Sequence, residues 1–154
     1  MPLGFLITGG VLFALFLYYR RIVRRIIAMP QIPDALPPTG FEVPVFATFV
    51  QSKPKSARSF KSYNSMFPSM RIFEDRVECQ VVRKRVVAYR DIEKVEILDA
   101  PLTRNLCLHV KNDGYVLMAN LLNHRNLSRV LMFLKKRGLV LSQGAETFMA
   151  THLA

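Results

Sequence analysis

Two clusters of cationic side chains carry the clearest binding chemistry in the sequence. One lies in residues 51–65, which contain no acidic residue, and the other is a run of three cations at residues 83–85. Ammonium and guanidinium groups bind phosphate and carboxylate oxygens through charge-assisted hydrogen bonds, although the same composition is typical of an ordinary solvated loop. The candidate residues for binding an anionic lipid or a partner are Lys53, Lys55, Arg58, Lys61, Arg83, Lys84 and Arg85.

Patterns for catalysis, metal binding or cofactor binding are absent from the sequence. The three histidines, His109, His124 and His152, are far apart in sequence, and no H-E-x-x-H, G-x-S-x-G, Walker A or G-x-G-x-x-G motif occurs. Cys79 and Cys107 lack C-x-x-C spacing and lie in strand-like runs, so two buried thiols are predicted rather than a disulfide or a metal site. The sequence therefore predicts a protein that is not an enzyme and that has no cofactor, no catalytic residue and no metal site.

Residues 1–28 are typical of a transmembrane helix with a basic interfacial extension. Residues 3–19 carry no charge, and at 1.5 Å per residue they make a helix of about 25 Å, close to the ~30 Å hydrocarbon core of a bilayer. Two tyrosines end this stretch and arginines follow it, and both residue types are typical of membrane interfaces. The predicted membrane-interface residues are Tyr18, Tyr19, Arg20, Arg21, Arg24 and Arg25.

The flanking charges also predict an orientation. Arginines follow the apolar run and none precedes it. This order predicts a bacterial inner-membrane protein with its N-terminus outside and its C-terminal domain on the cytoplasmic side. A signal peptide has the opposite charge order and a small-residue cleavage site, and a buried core helix would need a larger domain around it. Gly10 and Ala14, four residues apart on one face, are candidates for helix packing, with a passive anchor as the alternative.

Charge favours an anionic partner. The chain has 22 basic and 11 acidic residues, a net charge of +11, and without the four arginines of the anchor 18 basic residues still face 11 acidic ones. Such an excess suits an anionic membrane surface, an acidic protein or a nucleic acid. The cations are scattered over loops and a helix end rather than gathered in one motif, so nucleic acid ranks last.

The remainder divides into a linker, a domain and a tail. Residues 29–40 contain four prolines and predict a semi-rigid linker. Residues 41–141 read as short strands separated by turns, with the clearest hairpin at residues 112–114, which predicts a mainly β, α+β domain curled into a small barrel. One amphipathic helix should close it, capped by Asn123 and ended by Gly138. Met132 and Phe133 lie off its apolar stripe and face either a partner or a wide core. Residues 142–154 are a predicted tail.

Residues 66–137 resemble the small bacterial pleckstrin-homology-like domains. The resemblance rests on the strand MRIF, the strand EDRVECQ, the basic hairpin VVRKRVVAY, the segment RDIEKVEI, a hairpin over KNDG and the single amphipathic helix. It implies a binding or assembly module without catalytic residues. The expected function is a scaffold or accessory subunit of an inner-membrane complex, bound to an integral-membrane protein or to itself; the alternative is a module that binds anionic membrane lipids.

Overall fold

Short alternating runs of β-branched and charged residues produce most of the secondary structure. The computed structural model describes residues 2–27, 31–52, 62–64, 67–100, 103–111 and 114–152. The strands of this described part are β1 Phe41–Val43, β2 Ala47–Ser52, β3 Ser62–Asn64, β4 Ser69–Ile72, β5 Arg76–Gln80, β6 Lys84–Ala88, β7 Ile92–Ala100, β8 Thr103–Val110 and β9 Tyr115–Asn120. The helices are α1 Pro2–Ile27, α2 His124–Lys136 and α3 Gln143–His152, with a 3₁₀ turn at Tyr89–Asp91.

The strands form two antiparallel sheets in place of the single small barrel predicted above. The first sheet has the order β1-β4-β5-β6 and the second the order β3-β2-β9-β8-β7. Residues 41–50 alternate like one strand, but they form β1 and β2 in different sheets. Pro44 has no N–H for a ladder, and residues 44–46 lead the chain from one sheet to the other. The closing element also differs from the prediction of one C-terminal helix, since α3 follows α2.

One hydrophobic core joins the two sheets to α2. Met70 and Val77 of the first sheet, Leu106 of the second and Leu131 of α2 are completely buried members of it. The hydroxyl of Thr48 in the second sheet donates a hydrogen bond to the Gln80 carbonyl of the first. Burying this hydroxyl with its partner avoids the cost of an unsatisfied polar group.

Local sequence signals define α2 at both ends. The side chain of Asn123 accepts hydrogen bonds from the backbone N–H groups of Arg125 and Asn126 at 2.9 and 3.3 Å. Gly138 has a φ of 81°, the left-handed conformation that commonly ends a helix. The predicted apolar stripe faces the core, and its members Leu127, Val130, Leu131 and Leu134 are all 0% exposed.

The predicted transmembrane helix is wrong. Residues 2–27 are helical, but across the described part of the chain no helix is both long enough and apolar enough to cross a membrane. The helix that contains the uncharged stretch 3–19 also contains four arginines, Arg20, Arg21, Arg24 and Arg25. The single-pass inner-membrane location and the orientation that was predicted with it are contradicted as well. The membrane-interface role stays a prediction for Tyr18, Tyr19, Arg20, Arg21, Arg24 and Arg25.

Candidate binding groove

The outward face of α2 carries cations at helical spacing around one exposed thioether. Arg125, Arg129, Met132 and Lys136 recur at intervals of three or four residues, which places them on one side of the helix. The opposite side is buried, so these side chains point away from the core. Met132 is 37% exposed, whereas Phe133, the other residue that the sequence left available to a partner, is only 6% exposed.

Segment 31–36 of the predicted linker, which we call the strap, lies beside this face. Leu36 at its end is buried in the core, and the Leu36 backbone N–H donates a hydrogen bond of 2.7 Å to Oε1 of Glu74. The Gly40 backbone N–H donates a hydrogen bond of 2.8 Å to the Pro37 carbonyl, which closes a turn directly after the strap. This part of the predicted linker is therefore tied to the domain.

The C-terminal end of α2 holds the other side of the strap. Arg137 forms an ion pair with Glu74, and its guanidinium donates a hydrogen bond of 3.3 Å to the Asp34 carbonyl. Lys136 Nζ lies 3.4 Å from Oδ1 of Asp34, in a pair whose two side chains are largely exposed. An exposed pair of this kind contributes only about 0 to 1 kcal/mol. The strap is therefore held mainly by the interactions of Glu74, and the ammonium group of Lys136 can leave Asp34 to bind another anion.

A groove of about 580 Å³ runs between the strap and α2. Its charged lining consists of four cations and one acid, namely Arg125, Arg129, Lys136, Arg137 and Asp34. Because Glu74 pairs with Arg137, an excess of two positive charges is left. The apolar part of the lining comes from both walls and consists of Ile32, Pro33, Met132 and Phe133. Such a groove can bind carboxylate or phosphate oxygens at its rim and an apolar side chain at Met132.

Aromatic contacts dock α3 beside the groove. The ring of Phe148 stacks on that of His152 at 4.1 Å, and the His124 ring meets both edge-on at 5.8 and 5.2 Å. The Arg104 guanidinium lies 4.7 Å from the centre of the Phe148 ring. Burial, followed by the positive charge of Arg104 and by His152, lowers the pKa of His124.

Of the two basic clusters predicted from the sequence, only residues 83–85 lie in the described part of the chain. Arg83 lies just before β6 and Lys84 and Arg85 begin this strand; all three residues are exposed, and none belongs to α2. Lys84 Nζ lies 2.6 Å from Oε2 of Glu78, and this hydrogen bond is the main reason that the pKa of the Glu78 carboxyl is lowered. Lys53, Lys55, Arg58 and Lys61 lie outside the described residues.

The sites predicted on α1 are exposed where their side chains are described. Tyr18, Tyr19, Arg20, Arg21 and Arg24 are all exposed, while the side chain of Arg25 lies outside the description. Gly10 and Ala14 are likewise exposed, and a Cβ added to Gly10 would meet no atom within 4 Å. The structure therefore gives neither of these two residues a packing partner within the described chain.

The two thiols are buried in separate places. Cys79 belongs to the main core, and Cys107 packs with Val116 and Met118 in a smaller cluster. Burial raises the pKa of each thiol to about 12, and neither forms a disulfide. Within the described ranges, no group of three or more histidine, cysteine, aspartate or glutamate side chains could hold a metal ion.

Comparison with known proteins gives no relative from which a function could be transferred. No protein-family model matches the chain, and no curated protein matches it.

The groove was missed at the level of sequence, although the spacing of Arg125, Arg129, Met132 and Lys136 was visible there. What local pattern could not supply was the second wall, because the strap reaches α2 across about a hundred residues of chain.

Proposed function

We propose that this chain is a non-catalytic binding module that holds an acidic segment of a partner protein in the groove between the strap and α2. In this role it acts as a scaffold or accessory subunit of a protein assembly. The observation that carries the proposal is the excess of positive charge around an exposed methionine. A partner segment with carboxylates on both sides of one apolar side chain would complement that arrangement.

The composition of the groove favours a protein segment over a small anion. Met132 lies between Arg129 and Lys136 along α2, so the apolar surface is flanked by cations rather than gathered on one side. The thioether side chain adapts to apolar groups of different shape. A free phosphate would use the charges and leave Met132 exposed to water, whereas an acidic peptide uses both.

Binding of a second copy in this groove is disfavoured by charge. The chain carries a net charge of +11, and the groove is itself cationic. Two copies would therefore repel one another as they approach, at a cost that rises at low ionic strength. An acidic partner gains from the same field.

The order of elements supports a relationship to the pleckstrin-homology-like domains. The segments on which the resemblance rests fall on β4, β5, β6, β7, the β8–β9 hairpin and α2, in that order. Binding modules of this kind use surfaces and grooves rather than catalytic groups. The proposed relationship is one of element order and class of function, and it assigns no binding residue.

Fluorescence anisotropy with an acidic peptide tests the proposal. The probe is a labelled peptide of sequence SEELEEDS, added to the full chain at low salt. Reversing two exposed groove charges, Arg125→Glu with Lys136→Glu, should weaken binding at least about tenfold, because attraction at the rim becomes repulsion. Unchanged affinity would contradict the proposal.

A matched control and a lipid arm complete the experiment. Arg90 lies on the 3₁₀ turn, does not line the groove and has an 87% exposed side chain. Arg90→Glu makes the same change in charge as one of the two groove substitutions and should leave peptide binding nearly unchanged. Phosphatidylglycerol vesicles are tested in parallel. Vesicle binding that depends on Arg125 and Lys136 without any binding of the peptide would replace the protein partner by a lipid surface.

A further inference from the structure

The outer edge of β6 is a second surface with unused bonding capacity. The first sheet ends at β6, and no strand of the described chain pairs with the side of β6 that faces away from β5. In an antiparallel sheet every second residue of such an edge directs its N–H and C=O outward. Val86, in the middle of β6, is 54% exposed, and Val82, just before the strand, is 67% exposed.

The cross-strand rows of the first sheet define what an added strand would meet. One row runs across the sheet from Glu42 through Arg71 and Glu78 and ends at Val86. Its charges alternate in sign, and its last member is an exposed apolar side chain at the edge. A residue added beyond Val86 therefore meets an apolar neighbour, and cross-strand partners of like polarity are the favourable ones.

The next positions of β6 present positive charge. Lys84 lies on the same face as Val86, two residues away, and is exposed despite its contact with Glu78. Arg85 points to the other face, where its guanidinium lies 5.7 Å from the centre of the Tyr115 ring. An added strand would complement these positions with acidic side chains on both of its faces.

Charge decides between the two occupants that an open edge could take. Pairing with the β6 edge of a second copy would bring residues 83–85 of both chains together, three cations against three. Lysines on natural edge strands prevent such self-association. The same cations attract an acidic strand, so the device that excludes a second copy selects a negatively charged partner.

We propose that β6 is a docking edge for an extended acidic strand of a partner protein, which adds to the first sheet in antiparallel orientation. Main-chain hydrogen bonds along β6 supply affinity, and side chains on alternate faces supply specificity. The strand has an apolar residue opposite Val86 and acidic residues opposite Arg85 and Lys84. This edge is separate from the groove on α2, so either interaction can occur without the other.

A pair of peptides tests the strand addition on the unaltered full chain. The probe STVVEES places its second valine opposite Val86 and its two glutamates opposite Arg85 and Lys84 in the antiparallel register. Two control peptides have the same sequence. One is N-methylated at every second backbone amide, and the other is N-methylated at the remaining amides. They keep the charge, but each removes one set of donors, and one of them should bind at least about tenfold more weakly than the probe.

Hydrogen exchange and charge reversal locate the binding. The probe should slow amide exchange in residues 84–88, and Arg85→Glu should weaken its binding, whereas Arg125→Glu with Lys136→Glu should leave it unchanged. Equal binding of all three peptides would show attraction by charge alone and would overturn the strand addition. Absence of probe binding at low salt, or protection confined to α2, would overturn it as well, and neither result would affect the test of the groove.

Discussion

The Leu36 backbone N–H donates a hydrogen bond of 2.7 Å to the Glu74 carboxylate, which ties the strap to the turn between β4 and β5. The same carboxylate pairs with Arg137 at the end of α2. One side chain thus connects three segments that are distant in sequence, and these segments hold the groove in shape.

Removal of this carboxylate should destabilise the domain. We expect Glu74→Ala to lower the free energy of unfolding by about 1 to 3 kcal/mol, because it removes a hydrogen bond to a charged group and leaves Arg137 without this partner. Glu74→Gln keeps an acceptor for Leu36 and should cost less. Urea denaturation of the full chain measures both.

The neighbouring Asp75 provides the control for Glu74. Its side chain is 73% exposed, and it forms a surface ion pair with Arg76. We expect Asp75→Ala to cost less than about 1 kcal/mol. If the two alanine substitutions were equally costly, the connecting role of Glu74 would be wrong.

Two glycines should respond to alanine in opposite directions. Gly40 has a φ of 75°, and an added Cβ would lie 2.6 Å from Cζ of Phe73, so Gly40→Ala should destabilise by about 1 to 3 kcal/mol. Gly144 lies in α3 with nothing within 4 Å of an added Cβ. Gly144→Ala should stabilise by up to about 1 kcal/mol through helix propensity, and the two melting temperatures should move apart. A higher melting temperature for Gly40→Ala would contradict the local geometry at Gly40, and a lower one for Gly144→Ala would contradict the gain expected in α3.

Acidification should weaken the packing of α3 through His124. Burial, Arg104 and His152 lower the pKa of His124 below its ordinary 6.5, although Asp99 acts in the opposite sense. The unfolded chain then binds the proton more readily than the folded chain, so the free energy of unfolding falls as the pH drops through 6.5 towards the folded pKa. Replacement by a residue that does not titrate, His124→Gln, should flatten the stability profile in this window.

The acidic groups titrate in a lower window and can be separated from His124. Hydrogen bonds from Lys84 and Lys94 are the main causes that lower the pKa values of Glu78 and Glu96 below 4.5. Their contribution to stability is present above pH 4.5 and is lost only as the pH falls below it. If His124→Gln left the slope near pH 6 unchanged, the origin assigned to that slope would be incorrect.

Both thiols should be inert in the folded protein. Cys79 is 1% exposed and Cys107 is 4% exposed, and because burial raises both pKa values to about 12, thiolate is scarce at neutral pH. We expect Ellman's reagent to label neither residue in native buffer and both in denaturant. Rapid labelling of native protein would contradict the buried placement, and Cys79→Ser or Cys107→Ser would identify the reactive site.

Elements with local signals were predictable from sequence. For α2, the cap Asn123, the apolar stripe and Gly138 all lie within sixteen residues of one another, and a helix of this kind follows from short-range rules. The basic stripe of the groove has the same origin. Phe133 is an exception. Its burial beside the apolar stripe depends on how much of the surface of α2 the rest of the domain covers, and local sequence does not determine this.

Elements that depend on distant contacts were not predictable. Nothing near Leu36 indicates that Glu74 will accept its N–H, and nothing near Pro44 indicates that the flanking residues will join different sheets. The transmembrane prediction failed in another way, because it took the uncharged stretch 3–19, with a calculated length of about 25 Å, as a span. The helix that contains this stretch continues through four arginines to Ile27, whereas a span is a predominantly apolar segment.

Methionine methyl NMR tests the groove most directly. In full-length protein with ¹³C-labelled methionine methyl groups, Met132 is 37% exposed in the groove, while Met70 and Met118 are buried elsewhere at 0% and 8% and serve as internal references. Met132→Leu assigns the signal. Addition of the peptide SEELEEDS should shift the Met132 resonance in a saturable manner and leave those of Met70 and Met118 in place, and saturable peptide binding with an unmoved Met132 signal would contradict the account.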